Sequence, residues 1–549
     1  MKNSIDFSPN GKNRTPDIVK ALLHAPDDTV ISFEEGVYDF YTEGSYKGYF
    51  FPGCNRNGEK KVIFPILNSN NLTIKGNGAK FLFHDRVFPF ILQNCSNVSL
   101  HNFSIDFSFP RCLEATVTKM NDEGFALTIS GEDYNVNEYG NLLIQAGSET
   151  FSSSERRFFL EQRDWHCFIS VGDIYYENIN APADVIYCNA EKHGNEIFFK
   201  YRENSVKVKF TLNKRLMLSY DELRENDVFF MDRCQNTEIE NIHILHGAGM
   251  GIVGQCCENL KLDHYTVDPM DDGLYSTTAD AILLTNFSGK VQIENTHIDR
   301  SIDDAISIHG FYSVVDRVTD RNKAIARLVH PSQAGANIYF KGDVLRVSDG
   351  VSLNSYATVT VKEAYIREET ACILLEFEED IFGKLKVGDI LENPNRTPEV
   401  EIRNCEFMNF PTIRLASAQK TVFENNIVKN CIAVKINDLM RYWYASGCVT
   451  DLQIKHNLFE NIDTALDIFV QRLPDSNVRH KNIVITENIF RNCRQAIVAD
   501  CVDTLIIRDN IFEGVSQPVK ITNCTDVTCQ AEATMPGIIR NTSLQSNGV

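Results

Sequence analysis

An asparagine recurs in matching turns along this chain, and its spacing excludes most folds. It stands between two short apolar or β-branched runs. The copies are "NLTIKGNGAKFLF" from Asn71, "NVSLHNFSIDF" from Asn97, "NTEIENIHIL" from Asn236 and "NLKLDHYTV" from Asn259. They continue as "KVQIENTHI", "VEIRNCEF", "TVFENNIV", "LQIKHNLF", "IVITENIF" and "LIIRDNIF". Among the later copies, Asn404, Asn426, Asn457, Asn488 and Asn510 are 22, 31, 31 and 22 residues apart. Units of that length, made of short strands without helical periodicity, predict successive coils of a parallel β-helix. Coils stack at roughly 4.8 Å, so equivalent residues form ladders and turn asparagines bond along them. A β-sandwich also has many short strands, but it would not hold one turn residue in register.

Two gaps break the period. Asn102 and Asn241 are equivalent and 139 residues apart, and Asn295 and Asn404 are equivalent and 109 apart. The intervening segments alternate short strands with Gly, Asn and Asp turns, as in "EATVTKMNDEGFALTIS" and "ATVTVKEAYI". That pattern predicts small antiparallel barrels inserted in the helix. The chain divides accordingly. Residues 1–109 form an N-terminal cap and the first coils, 110–225 barrel I, 226–311 coils, 312–395 barrel II and 396–549 the C-terminal coils. "FSIDF" and "AISIHGF", where the inserts begin, read as the same strand of the coil, so both barrels are expected on one side of a groove. "TPDIVKALLH" reads as an amphipathic helix covering the open end of the solenoid.

With 43% hydrophobic residues and 35 Phe, the chain can fill a long core. Its net charge of −20 sets the far field against nucleic acid, anionic membrane and polyanionic substrates. No run of about twenty apolar residues is present to span a bilayer. The 16 cysteines include no C-x-x-C pair and read as reduced thiols in the core. The start has no apolar leader, so the chain as it stands points to the cytoplasm; a leader already removed would leave the same sequence.

Aligning coils by their apolar positions lays "DAILLTN" over "DAISIHG", followed by "TIRLASA", "AVKIND" and "ALDIFV". Ile282, Leu284, Ile306, Ile308, Ile413, Leu415, Val434, Ile436, Leu466 and Ile468 then point inward. Two rows face outward: Leu283, Ser307, Arg414, Lys435, Asp467, and Thr285, His309, Ala416, Asn437, Phe469. Asp280 and Asp304 stack at the head of this strand, with Asp303 one residue earlier. Three carboxylates within one coil step repel one another and raise at least one pKa, which supplies a proton donor beside an ionised base. Asp280, Asp303 and Asp304 are the catalytic candidates; His309, Arg414, Lys435, Asn437, Trp443 and Asp467 are the candidates for substrate binding. "DPMDDG" (Asp268–Gly273) is acidic but lacks the spacing of a calcium loop. "RYWYASG" (Arg441–Gly447) offers Tyr442, Trp443 and Tyr444 for stacking on a sugar. No metal and no cofactor are expected.

Taken together, these motifs resemble those of glycoside hydrolase family 110, the α-1,3-galactosidases. The likeness runs through "FFPGCN", "KKVIFPILNSNNLTIKGNGAKFLFH", "ADAILLTNFSGKVQIENTHIDRSIDDAISIHG" and "WYASGCVTDLQIKHNLF". It implies an all-β fold: a right-handed parallel β-helix, a pectin-lyase-like solenoid, with two inserted small antiparallel β-barrels and an N-terminal capping helix. It implies exo-acting, inverting hydrolysis of terminal α-1,3-linked galactose, on blood-group B-like or linear ends, with catalysis by Asp280, Asp303 and Asp304. The partner would be an oligosaccharide or glycoconjugate ending in α-galactose, and an exposed barrel or coil face gives a homodimer a surface to form on. Leu283 and Thr285 stand where many relatives carry Cys or His. Two alternatives remain at this stage. One is a polygalacturonase-like hydrolase, although "GHG" and "R-x-K" are absent; the other is a non-catalytic carbohydrate-binding β-helix.

Overall fold

A computed structural model describes residues 3–109, 111–131, 133–147, 149–155, 158–162, 165–171, 185–203, 205–220, 224–269, 272–367, 371–439, 443–471, 480–530 and 539–541. Short β-branched runs pair in parallel, coil upon coil, into a β-helix. One parallel sheet stacks Ser96–Phe107, Gln235–Ile244, Glu258–Val267, Ser288–Glu294, Glu399–Arg403, Lys420–Glu424 and Asp451–Lys455, with further strands at both ends. Facing it, a second parallel sheet stacks Phe88–Gln93, Phe229–Asp232, Ile252–Gln255, Ile282–Thr285, Ile306–Phe311, Thr412–Leu415, Ala433–Leu439, Thr464–Gln471, Gln495–Asp500 and Gln517–Thr522. This second sheet carries the carboxylates and is called the ladder sheet below.

The core lies between the sheets. All ten residues expected to point inward, from Ile282 to Ile468, are buried in it. Phe407, Phe423, Phe459, Phe490 and Phe512 stack coil on coil, with ring centroids 6.3, 6.3, 5.0 and 5.4 Å apart. The helix Thr15–His24 buries Ile18, Val19 and Leu22 against the first coils. The described cysteines form no disulfide.

Turn asparagines fall into two sets, which corrects the single series read from the sequence. Asn404 sits at φ 57° and Asn425 at φ 57°, the left-handed region that Asn tolerates better than most residues. Asn426, Asn457 and Asn488 occupy a different position and are buried. Their amides bond from rung to rung: Asn426 Nδ2 donates to Asn457 Oδ1 at 3.1 Å, and Asn457 Nδ2 donates to Asn488 Oδ1 at 2.9 Å. The rung before Asn426 belongs to Cys405, whose N–H donates to Asn426 Oδ1 at 2.9 Å. Asn404 is therefore one residue out of the buried ladder.

Both inserts form closed barrels. The first runs from Cys112–Met120 to Arg215–Ser219 and is antiparallel except where Trp165–Val171 and Val185–His193 pair in parallel. The second runs from Ser313–Asp320 to Ile390–Glu392 and is antiparallel throughout its described pairings. The expectation that both leave after the same strand is wrong. Barrel I follows Ser96–Phe107 of the first sheet and returns into Phe229–Asp232 of the ladder sheet. Barrel II follows Ile306–Phe311 of the ladder sheet and returns into Glu399–Arg403 of the first. The barrels thus stand on the turns before and after the ladder strands, and flank that face from its two ends.

Candidate active site

Parallel register brings the acids together. Ile282 pairs with Ile306 and Thr285 with His309, which sets Asp280 and Asp304 at the same place on neighbouring coils. The backbone confirms it: Ala281 N–H donates to Asp304 C=O at 2.9 Å. Burial, reinforced by the charges of Asp303 and Asp304, holds the Asp280 carboxyl well above the usual carboxylate range. Burial and the charge of Asp303 push Asp304 up to about 6, against the opposing charges of Arg414 and Lys435 and a hydrogen bond from the Thr412 hydroxyl. Asp303 is more exposed. It is the anionic half of an ion pair with Arg224, whose Nη1 donates to Asp303 Oδ2 at 3.1 Å and to Thr278 C=O at 3.1 Å. One carboxyl pushed toward its protonated form therefore sits beside one that is ion-paired.

The two outward rows are as expected, since Ser307 pairs with Arg414, Arg414 with Lys435, Lys435 with Asp467, and Asn437 with Phe469. Two atoms in these rows have no hydrogen-bond partner among the described residues. They are Arg414 Nε and Asn437 Oδ1, both buried. An unsatisfied buried polar atom costs roughly 1–3 kcal/mol, so these two atoms are available to the hydroxyls of a ligand on this face. Lys435 and Asp467 lie within range of each other's charge, and burial raises the Asp467 carboxyl against the pull of Lys435.

His309 is buried, and its Nδ1 donates to Gly310 C=O at 2.8 Å, which leaves Nε2 as an acceptor. Burial, aided by Arg414, lowers its pKa to about 4, so the imidazole is neutral and takes no proton near pH 7. Trp443 is not a free platform: its ring stacks on His330 of barrel II, with centroids 4.0 Å apart. Arg441 and Tyr442 lie outside the described residues. The acids of "DPMDDG" are held by arginines, Asp268 by Arg300 at 3.0 Å and Asp272 by Arg215 at 2.7 Å. Met270 and Asp271 there lie outside the described residues. Among the described residues no group of three or more His, Cys, Asp or Glu is arranged to hold a metal.

Three site residues were missed from the sequence. Arg224 arrives from the end of barrel I, and no spacing announces a contact 79 residues away. Thr412 was legible: the coils before it carry Val228, Gly251, Ala281 and Ala305 at this place, so it is the first polar residue of a row that continues through Ala433 to Thr464. Cys54 packs against the apolar cluster that includes Val253 and Leu283, in the left-handed region at φ 64°. Burial and the charge of Asp280 push its thiol up to about 12.

A family model described as GLAA-B beta-barrel domain II matches residues 324–391, within the second barrel. Three relatives span most of the chain. Alpha-1,3-galactosidase A of Shewanella woodyi is 28% identical, over 88% of this chain and 80% of its own. Alpha-1,3-galactosidase A of Bacteroides thetaiotaomicron is 27% identical, over 95% and 94%. Alpha-1,3-galactosidase B of Phocaeicola vulgatus is 24% identical, over 91% and 87%. Solved structures match in outline only: the polygalacturonase from Erwinia carotovora ssp. carotovora overlays with a TM-score of 0.36 at 9% identity, across 98% of this chain and 96% of that one, too weak a likeness to carry an argument. The barrel and the length of these alignments make the chain a homologue of the α-1,3-galactosidases A and B, in keeping with glycoside hydrolase family 110.

Proposed function

We propose that the protein is an exo-acting, inverting α-galactosidase that removes terminal α-1,3-linked galactose from an oligosaccharide or glycoconjugate. The observation that carries this is the stacking of the buried Asp280, whose carboxyl is held above the usual carboxylate range, beside an Asp303 ion-paired to Arg224. Asp280 is the general acid and gives its proton to the glycosidic oxygen as the bond breaks. Asp303 is the base and takes a proton from the water that attacks the anomeric carbon from the opposite side. Inverting enzymes place these two groups roughly 6.5–9.5 Å apart to leave room for that water. Asp304, held by Thr412, keeps negative charge next to Asp280 and so helps it retain the proton until the transition state. Arg414 and Asn437 offer the sugar hydroxyls unspent hydrogen-bonding atoms. The names of the relatives support galactose and the 1,3 linkage.

The test is turnover of nitrophenyl α- and β-glycosides and of α-1,3-galactosyl oligosaccharides, with the anomer of the released sugar followed by NMR. Release of β-galactose from α-galactosides is expected. Initial release of the α anomer would overturn inversion, and binding of galactosides without turnover of any would overturn the hydrolase reading. Replacing Asp280 or Asp303 by Asn is expected to lower kcat/KM by orders of magnitude, roughly 10² or more.

A further inference from the structure

Burial along the ladder changes abruptly at the site. In the first outward row, Ile91, Phe230 and Val253 are 0% exposed, Leu283 is 3% and Ser307 2%. From the next coil onward Arg414, Lys435, Asp467, Val498 and Lys520 are all partly open to solvent. The second row shows the same step later. Gln255, Thr285, His309 and Asn437 are buried, and Phe469 and Asp500 are partly open.

Three segments cause the closure. Residues 50–54 lie over the earlier coils: Phe50 shares one apolar cluster with Phe230, Val253 and Leu283, and Cys54 packs against that cluster. Gly53 N–H donates to Gln255 Oε1 at 2.7 Å, and Gln255 Nε2 donates to Phe51 C=O at 3.0 Å. Barrel II then locks this segment, since Cys54 N–H donates to Ser332 C=O at 2.9 Å. The third segment closes the far end of the strands. Ala445 and Ser446 pair antiparallel with Phe311 and Gly310, and Gln333 Nε2 of barrel II donates to Trp443 C=O at 2.7 Å. The pocket is therefore shut toward the N-terminal coils and at the strand ends beyond His309. Among the described residues none closes its face over the C-terminal coils, where Lys435, Asp467 and Phe469 are partly open to solvent.

We infer that the scissile sugar sits in the dead end between Ser307 and Asn437, and that the rest of the glycan runs along the solenoid axis over Asp467 and Phe469, which select the leaving saccharide. This rests on the α-galactosidase reading of the same site. A sugar lying there presents its C–H face to the Phe469 ring and its hydroxyls to Asp467, which makes no hydrogen bond among the described residues. The dead end also accounts for exo action, because a glycan could pass through neither closed side.

The inference is tested by binding as well as turnover, so that it does not stand or fall with catalysis. Calorimetry on Asp280→Asn protein would compare free galactose with an α-1,3-galactosyl trisaccharide, with and without Asp467→Ala or Phe469→Ala. The expected result is a loss of about tenfold or more in trisaccharide affinity and less than about twofold in galactose affinity. In the otherwise unmutated enzyme, kcat/KM on the trisaccharide is expected to fall in parallel while inhibition by free galactose is unchanged. Equal losses for galactose and trisaccharide would place these residues around the terminal sugar and overturn the inference; so would unchanged trisaccharide affinity in both variants. Absence of turnover by the unmutated enzyme, with the binding difference intact, would instead overturn the hydrolase reading alone.

Discussion

Arg224 and Asp303 are joined across 79 residues by a 3.1 Å hydrogen bond, and one belongs to the return from barrel I while the other belongs to the ladder turn. Both side chains are more than a third exposed, at 41% and 46%. A pair that open to water adds little stability, about 0–1 kcal/mol, so its value lies in where it holds the carboxylate. It ties an inserted domain to the chemistry of the solenoid.

Arg224→Met is expected to fold and to lose kcat/KM on the order of 10²-fold, as its base loses its anchor. The pH profile separates this from a general weakening. The Arg224 charge opposes the upward shift of Asp280, so removing it raises that carboxyl further and moves the alkaline limb of kcat/KM to higher pH. Arg224→Lys keeps the charge and is expected to restore the limb and most of the rate. An alkaline limb that stays in place in Arg224→Met would show that Arg224 does not act on the carboxylates.

The raised carboxyls cost stability, and the sign can be worked out for Asp304. Its pKa is about 6 in the folded protein and close to 3.8 in the unfolded chain, so the native state binds protons more tightly between those values. Stability therefore falls as pH rises from about 4 to about 6, and the whole cost is present above that window. Asp304→Asn removes it and is expected to raise stability by about 1–3 kcal/mol at pH 8 while lowering activity. At pH 4 the two proteins should unfold together. Thermal melts at both pH values check this, and an equal gain at pH 4 would show that the charge is not responsible.

The ladder rows were legible because parallel register is rigid: once Ile282 is laid on Ile306, every residue of both strands is placed. The same regularity misled where two patterns look alike. "FSIDF" and "AISIHGF" alternate identically, and period two does not say which sheet a strand joins, so the barrels were assigned to one side. Asn404 was set in the buried series because a one-residue shift between an exposed left-handed turn and the rung beside it leaves no trace in spacing. The covering segments were invisible for another reason. Leu283 faces outward by alternation, yet it is buried in a cluster with Phe50 and Cys54, and the strand end beyond His309 is covered by Ala445 and Ser446; such contacts have no period. Arg224 is the same case.

Thr412 acts on Asp304 through its hydroxyl, and a hydrogen bond to the ionised form favours that form. Thr412→Val keeps the shape and removes the donor, so the Asp304 carboxyl is expected to rise above about 6; as the ionised Asp304 also stabilises the positive charge that develops at the anomeric carbon, the acidic limb of kcat/KM is expected to move up with it. The two carboxyls titrate as a unit, so the measured quantity is the apparent pKa of the limb. Thr412→Ser is expected to return it to the original position. An unmoved limb in Thr412→Val, at normal protein stability, would remove Thr412 from the site.

Asn457 tests the solenoid itself. Its Nδ2 donates to Phe423 C=O, Lys455 C=O and Asn488 Oδ1, each at 2.9 Å, and its Oδ1 accepts from Asn426 N–H at 2.8 Å. Asn457→Ala strands buried groups on both neighbouring coils, and each unsatisfied group costs roughly 1–3 kcal/mol. A loss of about 3 kcal/mol or more is expected in chemical denaturation. Replacing the exposed Asn461, whose amide bonds to Asn430 at 3.2 Å, is expected to cost much less, about 1 kcal/mol, mainly because Ala fits its φ of 54° poorly. Hydrogen exchange adds a spatial criterion. In Asn457→Ala, faster exchange should center on Lys420–Glu424, Asp451–Lys455 and His480–Thr486, the strands that flank the broken rung. Similar costs for Asn457→Ala and Asn461→Ala would mean that the buried amides do not hold the coils in register.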